Sequence, residues 1–171
     1  MRESWEQIFE SVIKSEGGFV DHPSDPGGMT NLGVTRAVYS RWLGREATEQ
    51  EMRDLTKEDV SPIYKQWYFD AINGDDLPAG IDYSVCDIAI NSGPSRAAKM
   101  LQKCVGAKPD GAIGPMTLQA VSNSDSSEVV KRLADVRQSF YESLKTFKTF
   151  GKGWTRRNNE VREHSLQMIN E

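Results

Sequence analysis

Apolar residues recur at helical spacing through most of the chain. Trp5, Ile8, Phe9, Val12 and Ile13 share one face behind Ser4-Trp5-Glu6-Gln7, a capping-box pattern in which side chains satisfy the first free amides of a helix. This predicts a first helix reaching Ser15 or Glu16. Gly17-Gly18 is expected to stop it, because glycine readily takes the left-handed conformation at a helix C-terminus. From Gly17 to Thr35 the periodicity disappears into Gly, Pro, Asp and Asn, with Asp25-Pro26-Gly27-Gly28 as a strong turn signal. A long shaped loop, with at most a short hairpin, is expected there. Long loops inside compact domains are usually functional.

Helical spacing then returns. Thr35 caps a segment to about Leu43, Thr48 with Glu51 caps a short one, and Thr56 with Asp59 opens another ending near Ile72. In the last of these, Val60, Ile63, Tyr64, Trp67 and Ala71 form the apolar stripe, and Pro62 is expected to kink the first turns. Further helices are predicted over about 79–92, with Ile81, Val85, Ile88 and Ala89 inward, 95–105, 115–121, 126–146 and 153–169. Gly93-Pro94, Gly106 and Gly114-Pro115 punctuate them, and Pro115 at a first helical position costs no hydrogen bond. No strand pattern of any length, internal repeat or low-complexity tract is present, so the fold is expected to be mainly α.

With 171 residues, 37% of them apolar and 27% charged, the chain is long enough to close a core without disulfides or metal staples. Its start, Met1-Arg2-Glu3-Ser4-Trp5-Glu6, is charged where a secretory signal is apolar. No run approaches the roughly twenty apolar residues of a membrane span. Synthesis in a cytoplasm without membrane insertion is therefore expected. Cys86 and Cys104 fall at apolar helical positions and read as reduced core thiols. His22 and His164 are too few for a three-imidazole zinc site, and no Cys-x-x-Cys pair supplements them, so neither a metal nor another cofactor is expected.

The net charge of −4 hides a gradient: residues 46–87 carry eleven acidic and three basic side chains, whereas 131–162 carry nine basic and three acidic. The basic stretch is either a solvated helix face or a surface for a polyanion. Nucleic acid is disfavoured as that polyanion, since the whole chain is acidic and no recognisable binding motif appears.

Ser15-Glu16-Gly17-Gly18-Phe19 places a carboxylate at the end of the first helix, where unpaired carbonyls and the negative end of the dipole disfavour ionisation. A carboxylic acid keeping its proton near neutral pH is what protonation of a glycosidic oxygen requires. An exposed last-turn glutamate is the plainer alternative. The next segment, Asp21 to Thr35, reads Asp21-His22-Pro23-Ser24-Asp25-Pro26-Gly27-Gly28-Met29-Thr30-Asn31-Leu32-Gly33-Val34-Thr35. Together with Glu16-Gly17-Gly18 it resembles the signature of glycoside hydrolase family 108, N-acetylmuramidases of phages and bacteria. Tyr64-x-x-x-Tyr68-Phe69-Asp70 and Cys86-Asp87-Ile88-Ala89-Ile90-Asn91-Ser92-Gly93 extend the likeness. Asp110-Gly111-Ala112-Ile113-Gly114-Pro115-Met116-Thr117-Leu118 resembles a motif of the peptidoglycan-binding region that often comes after it.

The resemblance implies a mainly α, lysozyme-like fold of two lobes, residues 1–75 with Glu16 and the loop and 76–171 as a second helical lobe, in one compact unit with a cleft between them. It implies a monomeric peptidoglycan hydrolase, cutting between N-acetylmuramic acid and N-acetylglucosamine, with Glu16 as general acid. Phage lysozymes place an aspartate after eight intervening residues from their glutamate, which here falls on Asp25, with Asp21 as the rival. Their threonine falls on Asn31, with Thr30 one place early. The second carboxylate would orient water or steady the transition state, inverting the sugar if the two groups stand roughly 6.5–9.5 Å apart and retaining it at about 5–5.5 Å. Asp87 and Asn91, four apart on one helix, either line the sugar site or form a buried hydrogen-bonding pair. Tyr68 is a candidate to stack on sugar, and Gly28 to let sugar approach the main chain. Asp110–Leu118 is either a hinge between helices or a wall-binding element. A phage lysis role, with release through a separate pore protein, is the expected context. A bacterial muramidase used in secretion and a non-catalytic peptidoglycan-binding protein are the alternatives.

Overall fold

The computed structural model describes residues 2–21 and 28–170, with Arg2 and Glu3 described by backbone alone. By its contacts the chain divides into two compact units, Trp5–Trp67 and Met1–Ser4 with Tyr68–Glu171. The division falls at Trp67 and Tyr68, where the sequence suggested about residue 75. Phe69 and Ile72, both fully buried, and Asn73, whose side-chain amide donates to the Ile113 carbonyl, tie the intervening segment to the C-terminal helices.

Helix α1 (Arg2–Ser15), which belongs to the first unit from Trp5 onward, begins three residues earlier than the Trp5 start that a Ser4 cap predicts. The Ser4 capping box does not form, because Ser4 lies inside the helix and its hydroxyl hydrogen-bonds Asp82, 78 positions away. The stripe of Trp5, Ile8, Phe9, Val12 and Ile13 is buried as its spacing predicts. Gly17 and Gly18 both lack the positive φ expected of a left-handed cap. The chain instead bends at Glu16 into β1 (Val20–Asp21), which pairs antiparallel with β2 (Met29–Asn31), itself paired antiparallel with β3 (Val34–Thr35). A three-stranded sheet thus replaces the single short hairpin anticipated. Strands of two or three residues are too short to show alternation in sequence.

Three short helices complete this unit: α2 (Arg36–Leu43), α3 (Glu49–Arg53) and α4 (Lys57–Tyr64). Their caps form as their spacing predicts. Thr35 accepts from the Val38 amide, and Thr48 with Glu51 and Thr56 with Asp59 make reciprocal capping boxes, each contributing about 1 kcal/mol. Beyond α4, which contains Pro62, the chain winds into a π turn over Lys65–Phe69 and then a 3-10 turn over Asp70–Ile72. The predicted helix to Ile72 is therefore helical throughout but changes its winding twice.

The second unit is built round α5 (Ile81–Ser92), which contacts α6 (Pro94–Val105), α8 (Ser126–Glu142) and α9 (Phe147–Ile169); α7 (Pro115–Ser122) lies against α6. Every residue of α5 from Ile81 to Ala89 is buried, not the one face predicted. Its polar groups are accommodated in pairs: Ser84 with Ser165 at 2.7 Å, and Asp82 accepting from the amides of Gly80 (3.0 Å) and Tyr83 (2.7 Å). Burial pushes Asp82 up to about 6 in spite of these bonds. Helix α9 starts six residues before the predicted position because Gly151 is buried under the Phe147 ring one turn earlier, so a glycine that reads as a breaker is a packing site. Cys86 and Cys104 are buried free thiols, as expected, and burial raises both, Cys104 to about 11. Among the described residues no helix is long and apolar enough to cross a membrane.

Candidate active site

Glu16 comes directly after α1, its amide donating to the Ile13 carbonyl at 3.2 Å, with its side chain half-buried. The turn between β2 and β3 faces it. Leu32 (φ 52°) and Gly33 (φ 78°) are both left-handed, the pair of conformations that a two-residue type I′ hairpin loop demands. For leucine this costs about 1–2 kcal/mol, and such strain persists only where neighbours fix it. Here they do: the Leu32 amide donates to the Gly17 carbonyl at 3.1 Å, and the Leu32 carbonyl accepts from the Tyr64 hydroxyl at 2.9 Å. The turn is therefore fastened to the end of α1 on one side and to α4 on the other.

Gly33 is the point of closest approach. A Cβ there would come within 2.8 Å of the Glu16 carboxyl and closer still to the Tyr64 hydroxyl. Any side chain would displace one of them, on top of the strain of its φ. Tyr64 is nearly fully buried, its ring 6.1 Å from that of Phe9, so the phenol is a rigid wall behind the carboxyl. Gly33 is needed here as room for an acid, and not only as backbone freedom.

The neighbouring candidates separate by strand alternation. Thr30 is half-buried in mid β2, opposite Val20 on one side and Thr35 on the other. Asn31 points to the other face, is 6% exposed, and donates to the Met52 carbonyl at 2.9 Å and that of Arg53 at 3.4 Å. Asn31 thus anchors α3, whereas Thr30 remains half-buried. Gly28 (φ 61°) has open space where a side chain would stand. With the exposed Asp21 and Glu46 and the half-buried Arg36 it lines a cavity of about 420 Å³. Asp25, the expected second carboxylate, lies outside the described residues.

Asp87 is buried, but its partners are two arginines where the sequence offered a pairing with Asn91. Its Oδ2 accepts from Arg137 Nη1 at 2.7 Å, and its Oδ1 accepts from Arg157 Nε at 3.1 Å and from Nη2 of the same residue. Burial alone would raise its pKa, but the two guanidiniums outweigh that and hold the carboxyl below the usual range. Arg137, 1% exposed, also donates to the Tyr141 hydroxyl at 2.8 Å, and Tyr141 stacks on Trp154. Asn91, one turn beyond Asp87, is exposed. Among the aromatic residues Tyr64 and Phe69 are core, whereas Trp67, against Trp42 and under Arg41, and Tyr68 are half-buried.

Sequence reasoning missed the clamp role of Tyr64 and the two arginines on Asp87, which lie 50 and 70 positions further on. It also missed Gln102, fully buried under the Asp110–Leu118 turn. Its Nε2 donates to Asp110 Oδ1 (2.9 Å), the Ala112 carbonyl (3.0 Å) and Thr117 (3.0 Å), and its Oε1 accepts from the Gly111 amide. Of the polar side chains of that motif, Thr117 is buried and Asp110 is exposed, and both hydrogen-bond Gln102. Among the described residues no group of three or more His, Cys, Asp or Glu is placed to hold a metal.

Comparison with known proteins agrees with this layout. A family profile described as glycosyl hydrolase 108 matches residues 9–93, and one described as a predicted peptidoglycan domain matches residues 96–159. No curated protein matches the chain. Among solved structures, SagA of Brucella abortus is similar over 100% of this chain and 98% of its own, at 44% identity and a TM-score of 0.90. The first profile begins within α1 and spans Glu16, its glycine turn and the whole of α5, and with identity of this level over full length the chain belongs to glycosyl hydrolase family 108, as a mainly helical, lysozyme-like glycoside hydrolase acting on peptidoglycan.

Proposed function

We propose that the enzyme cuts the glycan strand between N-acetylmuramic acid and N-acetylglucosamine, with Glu16 donating a proton to the leaving oxygen. The observation that carries this reading is the seat of Glu16: a half-buried carboxyl laid against a side-chain-free turn, with the buried Tyr64 phenol behind it. A proton donor must meet its substrate at hydrogen-bonding distance in a fixed orientation, and a pinned turn without a side chain provides both rigidity and access. Asp25 is the second carboxylate, orienting water or steadying the oxocarbenium-like transition state. Thr30 assists from β2, and Gly28, Tyr68 and Asn91 contact the glycan. Asp87 acts through its arginines, by fixing the helix that ends near Asn91. The enzyme works as a monomer.

The same reading gives its context: a phage lysis enzyme, made in the host cytoplasm and reaching the wall after release through a separate pore protein. The full-length likeness to a Brucella abortus protein supports a second context, a bacterial muramidase used in secretion. A neighbouring pore-protein gene would decide for the first, and neighbouring secretion genes for the second. For the chemistry, wild type is expected to release reducing sugar from purified peptidoglycan and Glu16→Gln to release none above background. Equal release by both would remove Glu16 from the mechanism.

A further inference from the structure

Helix α6 carries three exposed cations, of which Lys99 reaches Gly111 of the turn below it. Arg96, Lys99 and Lys103 are spaced three and four apart, which puts them in one row along the helix, spanning about 10 Å. All three are exposed, and none is held in an ion pair among the described residues. Across from them, α8 contributes Asp135, Val136, Ser139 and Phe140, and Met100 lies between the rows, so that the two helices enclose a groove of about 650 Å³. Its floor is apolar: Met100 is 6% exposed, Val136 and Phe140 are half-buried, and the Arg96 guanidinium lies 4.5 Å from the centre of the Phe140 ring.

A row of exposed cations over an apolar floor, faced by a single acid, is complementary to a short peptide with several carboxylates, small apolar side chains and one amine. The peptide attached to the lactyl group of N-acetylmuramic acid has that composition: alanines, a γ-linked glutamate with its free α-carboxyl, and a diamino acid. The row of cations spans about three extended residues, so one end of such a peptide lies beyond it. We propose that the groove between α6 and α8 binds the stem peptide of peptidoglycan, with Lys99 and Lys103 on its carboxylates, Met100, Val136 and Phe140 under its terminal alanine, and Asp135 toward the amine of the diamino acid. This rests on peptidoglycan being the substrate, and assigns the peptide-reading part of it to side chains outside the Asp110–Leu118 turn, whose Asp110 and Thr117 are bonded to Gln102.

The test uses the full chain and the synthetic peptide L-Ala-γ-D-Glu-meso-diaminopimelate-D-Ala without sugar. In an NMR titration, amide signals of residues 96–103 and 135–140 are expected to shift. Lys99→Glu with Lys103→Glu is expected to weaken binding at least tenfold while leaving the thermal melt unchanged, since both side chains are exposed. The milder pair Lys99→Gln with Lys103→Gln should fall between. On intact peptidoglycan the charge-reversed enzyme should show a raised KM with unchanged kcat, and on glycan stripped of peptides it should match wild type. Peptide signals that shift elsewhere, equal affinity of the variants, or shifts produced by a DNA duplex and not by the peptide would each overturn the proposal. The titration reads the groove without any cleavage, so a wild type that binds peptide yet releases no reducing sugar would count against the proposed function alone.

Discussion

Glu16 and Asp87 are two carboxylates held in opposite ways. Glu16 sits half-buried beside a turn that backbone hydrogen bonds and a glycine keep clear for it. Asp87 is 4% exposed and gripped by Arg137 and Arg157. The first arrangement leaves an acid reachable by substrate and positioned by main chain; the second neutralises an acid with partners and uses it as a fastening. A motif that places both residues in one family signature does not tell them apart. Their surroundings do.

Substitutions should therefore separate activity from stability. Glu16→Gln is expected to lower turnover by about 10²–10⁴-fold, the usual range for a general acid, with the denaturation midpoint unchanged. Asp87→Asn should do the reverse: it leaves two guanidiniums without their anion, and breaking such a buried pair costs about 3–5 kcal/mol, read as a lower midpoint in urea. If both variants lose activity with unaltered stability, the distinction between the two acids is broken. Next in size, Gly33→Ala forces a Cβ toward the Glu16 carboxyl from a backbone at φ 78°. Its kcat should drop at least tenfold and its stability by about 1–2 kcal/mol, measured by steady-state kinetics and urea titration.

The pH dependence of stability sharpens the comparison with a third acid. Burial raises Asp82 to about 6, so between about pH 4 and 6 the folded chain binds this proton more tightly than the unfolded one does. Stability should fall as pH rises through that window, by up to about 1.4 kcal/mol per unit, and Asp82→Asn should remove the slope. Asp87 has the opposite sign: its pKa is depressed, so its contribution is complete above the ordinary carboxylate range of about 4 and is lost only as pH falls below it. Urea titrations from pH 3 to 8 check both. The smallest effect concerns Cys86 and Cys104: iodoacetamide should label neither in the native protein and both after denaturation without reductant.

The features legible in the sequence and those hidden from it divide the same way. The capping boxes at Thr48 and Thr56, the stripe of α1 and the Glu16-to-Thr35 signature are local patterns, and local patterns are legible because both partners lie within a few residues. The Ser4 hydroxyl reads as a cap until Asp82 claims it from 78 positions away. The burial of α5 on all sides was hidden because Arg137 and Arg157, which make Asp87 tolerable there, come from α8 and α9. The sheet was hidden for a different reason, its strands being only two or three residues long. Tyr64 showed its apolar character in the stripe of α4 but not its hydroxyl's bond to Leu32, since nothing in the spacing 32 to 64 points one at the other.

Mass spectrometry of the products released from borohydride-reduced digests of peptidoglycan tests most directly whether Glu16 is the acid of a muramidase. Fragments ending in reduced N-acetylmuramic acid are expected from wild type and should be absent from the Glu16→Gln digest. Fragments ending in reduced N-acetylglucosamine, or in anhydro-muramic acid, would contradict that role.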